Sequence, residues 1–270
     1  MYNDGPTNRS GEHSMSGFDF SKYGFEPIIT KKRKKHFYLI VDTETTIDEK
    51  VADFGAVIVD RKGRIAAQCG ILINGIYNDR ENHTLFFNEY SGDLWKKSSL
   101  DKRYNNYSEM LANGSRMLAS IPAINTWLAK AAQKFNPTLT AYNLSFDLGK
   151  CVNTGIDLSF FENRFCLWHA AFNKWAHTKN YRNFALQLHA FNAPTKMQNM
   201  SFKTNAETMA RFITNSPDMP DEPHTALEDI IYYELPILKR LIETTDREVF
   251  MNPEPFDWRK VQVKDWFTAK

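Results

Sequence analysis

Cysteine is scarce in this sequence, with three residues among 270, namely Cys69, Cys151 and Cys166. No two of them form a Cys-x-x-Cys pair. Disulfide frameworks and thiolate zinc sites both depend on paired or closely spaced cysteines. The sequence therefore indicates reduced thiols and argues against both kinds of site.

Long apolar runs are missing as well. A helix that spans a bilayer needs about 20 consecutive apolar residues, and the polar first residues contain no signal-peptide core. We therefore expect a soluble, cytoplasmic protein without a membrane partner. The basic run "KKRKK" at 31–35 would direct the protein to the nucleus if it acts as an import signal. It fits a nucleic-acid tether or a solvated flank equally well.

A strong excess of charge of either sign is absent too. The formal net charge is +2, although residues 31–35 alone contribute five positive charges. The rest of the chain is therefore slightly acidic, which excludes a generally basic nucleic-acid binder. If such a protein handles phosphate groups, it needs metal ions or local lysines to do so.

The composition, with 42% hydrophobic and 24% charged residues, is that of a globular protein. Residues 1–35 are polar and basic and are predicted to form a flexible arm. A folded domain is expected at 36–245 and a C-terminal extension at 246–270. The extension carries Phe256, Trp258, Trp266 and Phe267, and we expect it to pack back on the domain or to contact a partner.

Strand and helix patterns alternate within the expected domain. A strand is predicted at 37–43, followed by "VADFGAVIVD" and "RIAAQCGILI", which Gly63 joins in a hairpin. A helix is expected within 115–135, with Pro122 at its start or at a kink, and then a strand at 138–142. The pattern predicts a mixed α/β fold in which the second and third strands are antiparallel.

The stretch "FYLIVDTETT" sets an apolar strand directly against two acids, Asp42 and Glu44. In a strand, residues two apart project to the same face, so these carboxylates should lie side by side at its end. Two like charges so placed raise a pKa or require a cation, and a hard divalent metal suits oxygen ligands. Alone, the pair also fits a capped strand end with a solvated acid.

A third acid, Asp147, follows the strand predicted at 138–142. If that strand neighbours the first, Asp147 reaches the same edge of the sheet, where ligands bind in open α/β folds. Taken alone, it would be a charge favoured by the start of a helix.

The stretch "PHTALED" predicts a helix start at Ala226. Thr225 and Glu228 match the capping box, in which a hydroxyl and a carboxylate satisfy exposed backbone donors. His224 and Asp229 then occupy the two positions that meet across such a start. Pro236 is expected to kink the helix.

The segments "DTET", "NLSFD" and "HTALED", in this order and spacing, resemble the three motifs of the DEDDh family of DnaQ-like 3′-to-5′ exonucleases. The resemblance implies an RNase H-like α/β fold, with a mixed central sheet of about five strands, the first three antiparallel, flanked by helices. The resemblance covers roughly residues 36–245. Ile47 stands where many relatives have glycine, and Thr225 stands where tyrosine-type relatives have tyrosine. The five characteristic residues are Asp42, Glu44, Asp147, His224 and Asp229.

The resemblance implies hydrolysis of single-stranded DNA or RNA from its 3′ end to nucleoside 5′-monophosphates. Two ions, Mg²⁺ or Mn²⁺, would be held by Asp42, Glu44, Asp147 and Asp229. His224 would be the general base, since an unperturbed imidazole has a pKa of about 6.5. The expected substrate contacts are Thr43, Thr45, Asn143 and Phe146.

Three weaker interpretations stay open. The spaced aromatic residues Phe165, Trp168, Phe172 and Trp175 are expected on buried helix faces, although such a surface also suits stacked bases. The chain could instead be a proofreading or repair subunit docked on a polymerase or helicase, or a catalytically silent nucleic-acid binder. A homodimer or a replication or repair partner could be bound through the C-terminal tail.

Overall fold

The computed structural model describes residues 36–87, 97–196 and 199–263. The predicted arm at 1–35, including "KKRKK", and the tail residues Trp266 and Phe267 lie outside the described residues. Nothing in the structure therefore bears on the predictions made for them.

A six-stranded sheet forms the centre, in the order β4-β3-β2-β1-β5-β6. The first three strands pair antiparallel, as predicted, whereas β3 with β4, β1 with β5 and β5 with β6 are parallel. The expected number of about five was one strand short, because the short β4 extends one edge. The strands are β1 (Phe37–Thr45), β2 (Val51–Asp60), β3 (Ile65–Ile73), β4 (Met117–Ala119), β5 (Thr138–Ala141) and β6 (Arg164–Cys166). Two further strands, β7 (Phe191–Asn192) and β8 (Ser201–Phe202), make a separate hairpin.

Helices flank the sheet: α1 (Leu100–Ala112), α2 (Ile121–Phe135), α3 (Leu144–Thr154), α4 (Leu167–Ala171), α5 (Lys179–Gln187), α6 (Ala206–Thr214), α7 (Ala226–Asp229), α8 (Leu235–Thr244) and α9 (Arg247–Met251). A π-helical turn at Phe172–Ala176 follows α4, and a second one at Ile230–Glu234 joins α7 to α8. The chain between β3 and β4 contains α1. In the described part of the chain, no helix is both long enough and apolar enough to cross a membrane.

The first strand is buried on both faces, as its continuous apolar sequence predicts. Tyr38 and Ile40 belong to one hydrophobic cluster, which includes α8. Leu39 and Val41 belong to another, which includes α2 and α3. Alternate side chains of β1 thus anchor both layers of helices, and the end of this strand is held rigidly.

Two local predictions need adjustment. The helix expected within 115–135 begins only at Ile121, because 117–119 pair with β3, and Pro122 lies in the first turn after the N-cap Ser120. The first strand continues to Thr45 rather than ending at 43, so Asp42 and Glu44 lie within it.

The aromatic segment and the tail mostly pack inward. Phe172 is buried on a helical turn, as predicted. Phe165 is also buried, but it lies in strand β6 rather than on a helix. Trp168 and Trp175 are only partly covered. Phe256 of the tail packs on Trp168, with ring centroids 4.5 Å apart. This part of the C-terminal extension therefore folds back on the domain.

Candidate active site

The end of β1 supplies the first two acids. Glu44 is 6% exposed, and Asp42 is half-buried. The pairing with β2 shifts between Glu44 and Thr45, an irregularity that often accompanies functional sites because it redirects side chains. Thr43 donates its hydroxyl to Asp147 Oδ1 at 2.8 Å, which ties the first motif to the second.

Asp147 reaches this edge because β5 runs parallel to β1 and the chain then turns sharply into α3. The turn is made at Asn143, whose φ of 75° lies in the left-handed region, which asparagine tolerates better than most residues. Asp147 lies in the first turn of α3 and is 2% exposed. The predicted neighbourhood of the two strands is therefore confirmed.

The start of α7 brings His224 and Asp229 to the same place. His224 has φ 54°, also in the left-handed region, and its carbonyl accepts the Tyr107 hydroxyl at 3.4 Å. A non-glycine residue in this conformation indicates local strain, which is common at functional sites. The backbone therefore fixes the direction in which the imidazole leaves the helix start.

The predicted capping box was wrong. The Thr225 side chain makes no capping hydrogen bond, and Glu228 forms an ion pair with Arg116 instead. The backbone N–H of Thr225 is bound by Asp229 Oδ2 at 3.1 Å. The helix start is therefore held by Asp229 and by a residue outside the segment.

That outside residue is Asp53 of β2, which is fully buried. Its Oδ2 accepts the Ala226 N–H at 3.0 Å, and Arg116 Nε donates to its Oδ1 at 3.0 Å. Arg116 thus links Asp53 and Glu228, and a buried network of this kind stabilises its members only when all of them are paired. Gly55, directly opposite Asp42 in the sheet, lets α7 approach, since a Cβ there would lie 2.6 Å from the Ala226 carbonyl carbon.

Three of the predicted residues form the tightest group. One ligand atom from each of Glu44, His224 and Asp229 lies within 4.8 Å of the other two. Asp229 Oδ1 is buried and has no hydrogen-bond partner among the described residues. Burying an unpaired carboxylate oxygen costs free energy. A divalent cation bound to these three residues would satisfy that oxygen.

All the predicted site residues line one pocket of about 780 Å³. This volume is within the usual range of small-molecule sites. The pocket includes both acidic and aromatic walls, and Phe146 is 45% exposed there. The predicted residues on its wall are Asp42, Thr43, Glu44, Thr45, Asn143, Phe146, Asp147, His224 and Asp229.

Burial and mutual repulsion raise the pKa values of the four predicted metal ligands in this pocket. Burial raises the pKa of Asp42 well above its usual value, and the charge of Glu234 adds to the effect. Burial raises the pKa of Glu44 to about 7 against the opposing effect of Arg103, whose guanidinium lies 3.1 Å away. Burial raises the pKa of Asp147 to about 8 and that of Asp229 to about 10. Without cations, the site therefore favours protonated carboxyl groups.

Several residues of the site were not predicted from the sequence. Glu234 lines the pocket and is 3% exposed, and Glu222 lies on the same wall. Arg103 and Arg116 neutralise Glu44 and Asp53 from positions far along the chain. None of these four residues belongs to a sequence motif, although Glu234 lies two residues before Pro236, where a helix distortion was expected.

No protein-family model and no curated protein sequence matches the chain.

Proposed function

We propose that the chain is a metal-dependent 3′-to-5′ exonuclease of the DEDDh type with an RNase H-like fold, acting on single-stranded DNA or RNA. The observation that carries this proposal is that the three sequence motifs meet at one pocket. Three segments far apart in sequence bring Asp42, Glu44, Asp147, His224 and Asp229 to the wall of one pocket. The antiparallel β1, β2 and β3 beside the parallel β5 and β6 are compatible with that fold.

The acids fit a site for Mg²⁺ or Mn²⁺, with two ions held by Asp42, Glu44, Asp147 and Asp229. Such ions would activate a water molecule and stabilise the leaving oxygen of the scissile phosphodiester. The pocket acids are oxygen ligands, which these hard cations prefer. Burial and the mutual repulsion of these acids raise their pKa values, an effect that bound cations would oppose.

His224 is the proposed general base. Its ring is partly exposed and lies beside Glu44 and Asp229, where it can accept a proton from a water molecule in the pocket. The left-handed backbone at His224 and the Tyr107 contact hold the imidazole in place. Because the ligand atoms of Glu44, His224 and Asp229 lie within 4.8 Å of one another, the alternative is that the imidazole coordinates the cation directly.

The remaining walls suit the terminal nucleotide. Phe146 offers an exposed ring for stacking, which contributes about 1 to 3 kcal/mol per base, and Lys150 Nζ lies 4.9 Å from its centroid. Thr45 and Asn143 offer polar groups on the same wall. Hydrolysis would release nucleoside 5′-monophosphates.

Replacing the histidine tests this proposal. In His224→Ala, the rate of nucleotide release should fall by about 100-fold or more, while Mn²⁺ binding measured by calorimetry should persist. His177→Ala, at an exposed site outside the pocket, is the matched control and should keep full activity. An unchanged rate in His224→Ala would refute the proposed role, and lost Mn²⁺ binding would make the histidine a ligand.

A further inference from the structure

Glu234 is a buried acid to which none of the sequence motifs pointed. It is 3% exposed and lines the same pocket as Asp42. Its Oε1 accepts the Tyr142 N–H at 3.3 Å. Its Oε2 is buried and has no hydrogen-bond partner in the described part of the chain. One oxygen therefore orients the side chain and leaves the other for a further group.

The π-helical turn explains how Glu234 reaches the pocket. Glu234 follows Asp229 by five residues, and in an α-helix with 3.6 residues per turn this spacing places side chains about 140° apart. Residues 230–234 instead form a π-helical turn, whose hydrogen bonds join residues five apart and so bring such residues onto the same face. Pro236, which lacks an N–H, is the second residue after the turn. The distortion therefore turns Glu234 and Asp229 toward the same pocket.

Cationic side chains of the region are already engaged elsewhere. Arg103 pairs with Glu44, and Arg116 pairs with Asp53 and Glu228. Lys150, on the pocket wall, pairs with Glu49. Glu234 and Asp42 lie on the wall of the same pocket, and among the described residues neither forms an ion pair with a lysine or arginine.

We propose that Glu234 is an additional ligand of the site and binds a divalent cation together with Asp42. The inference rests on the proposed function, since it assigns a residue to the metal site of that same pocket. Mg²⁺ is commonly bound by one or two carboxylates, with waters and substrate phosphate filling the remaining positions. Two carboxylates are therefore enough for this ion, and Glu234 Oε2 is the oxygen that would coordinate it.

A Mn²⁺ titration of the full chain, without nucleic acid, tests the assignment. Wild type should bind two ions, and Glu234→Gln should lose one of them or bind it at least tenfold more weakly. Glutamine keeps an oxygen for the Tyr142 N–H, so the local fold is retained. Glu49→Gln is the matched control, because Glu49 also lines the pocket but is exposed and paired with Lys150. It should bind both ions as wild type does.

A second readout does not depend on any variant. In Mn²⁺-soaked crystals of the wild type, an anomalous peak at coordination distance from Glu234 Oε2 would support the inference. Peaks confined to the Glu44 and Asp229 group would overturn it, as would a Glu234→Gln protein that binds both ions unchanged. If the wild type binds no Mn²⁺ at all, the proposed function fails together with the inference. If it binds two ions and Glu234 contacts neither, only the inference fails.

Discussion

The acids of the pocket differ, residue by residue, in what neutralises them. Glu44 forms an ion pair with Arg103, and Asp53, behind the pocket, forms one with Arg116. Asp147 accepts the Thr43 hydroxyl, and Asp229 accepts a backbone N–H. In the described part of the chain, neither of these two acids forms an ion pair with a lysine or arginine. The acids without a cationic partner are therefore the ones most in need of a bound cation.

Asp42 lies among these acids, and replacing it tests their proposed role. Asp42→Asn should lower turnover of a single-stranded oligonucleotide at least 100-fold, which corresponds to about 2.7 kcal/mol of transition-state stabilisation. The metal-free protein should be as stable as wild type or more stable, because the substitution removes a like charge from the cluster. Activity assays and thermal unfolding in EDTA measure both effects.

Asp60→Asn is a suitable control for that variant, since Asp60 is at the opposite end of the paired strands β1 and β2. This control should keep full turnover. A normal rate in Asp42→Asn would contradict the proposed metal site. Loss of folding in Asp42→Asn would show that the acid stabilises the sheet rather than binding a cation.

At the scale of elements, the position of α7 on the sheet determines where His224 and Asp229 lie. Asp53 binds the Ala226 N–H, Arg116 joins Asp53 to Glu228, and Gly55 leaves room for the helix start. These contacts come from β2 and from the chain beside β4. The third motif therefore depends on elements that carry none of the proposed ligands.

Gly55→Ala tests this dependence. Its Cβ would lie 2.6 Å from a backbone atom of Ala226, so the helix start must move away from Asp42. Because small displacements of catalytic groups are costly, turnover should fall about 100-fold, while the thermal midpoint falls by only a few degrees. Rates and melting curves of the purified variant provide the measurement.

Gly149→Ala is the matched glycine control. Gly149 lies within α3 near the pocket, and a Cβ there would meet nothing within 4 Å. Alanine is favoured over glycine in a helix interior by about 0.5 to 1 kcal/mol, so this variant should be fully active and slightly more stable. Equal activity of Gly55→Ala and wild type would mean that the close approach of α7 does not position the site.

The sequence predicted the strands and helices better than the long-range contacts that hold them in place. The apolar run of β1 and the acids that follow it are local features, and so is the left-handed turn before α3 in hindsight, since asparagine adopts it readily. The partners Arg116 and Asp53, by contrast, are 63 residues apart in the chain. Such pairs depend on strand register, which no local pattern encodes. The capping box failed for the same reason, because Glu228 had a distant arginine available.

For the whole molecule, the raised pKa values link stability to pH. The pKa of Glu44 is raised to about 7, that of Asp147 to about 8 and that of Asp229 to about 10, mainly by burial. The folded state therefore holds protons that the unfolded state releases. The stability that these groups contribute is greatest below their unfolded pKa values and is lost as the pH rises through the folded ones.

In EDTA, the thermal midpoint should accordingly fall by several degrees between pH 6 and pH 9. With Mn²⁺ present, the trend should weaken or reverse, since metal binding requires deprotonated carboxylates and releases protons. Scanning calorimetry in paired buffers measures both curves. Parallel curves with and without Mn²⁺ would contradict a metal site in this pocket.

The most direct test of the central claim follows single-stranded DNA and RNA oligonucleotides labelled at the 5′ end. With Mg²⁺ or Mn²⁺, we expect products that shorten stepwise from the 3′ end with release of nucleoside 5′-monophosphates, and no products in EDTA or with Asp42→Asn. Internal cleavage, activity that persists in EDTA, or intact substrates of both kinds in the presence of either metal would contradict the account.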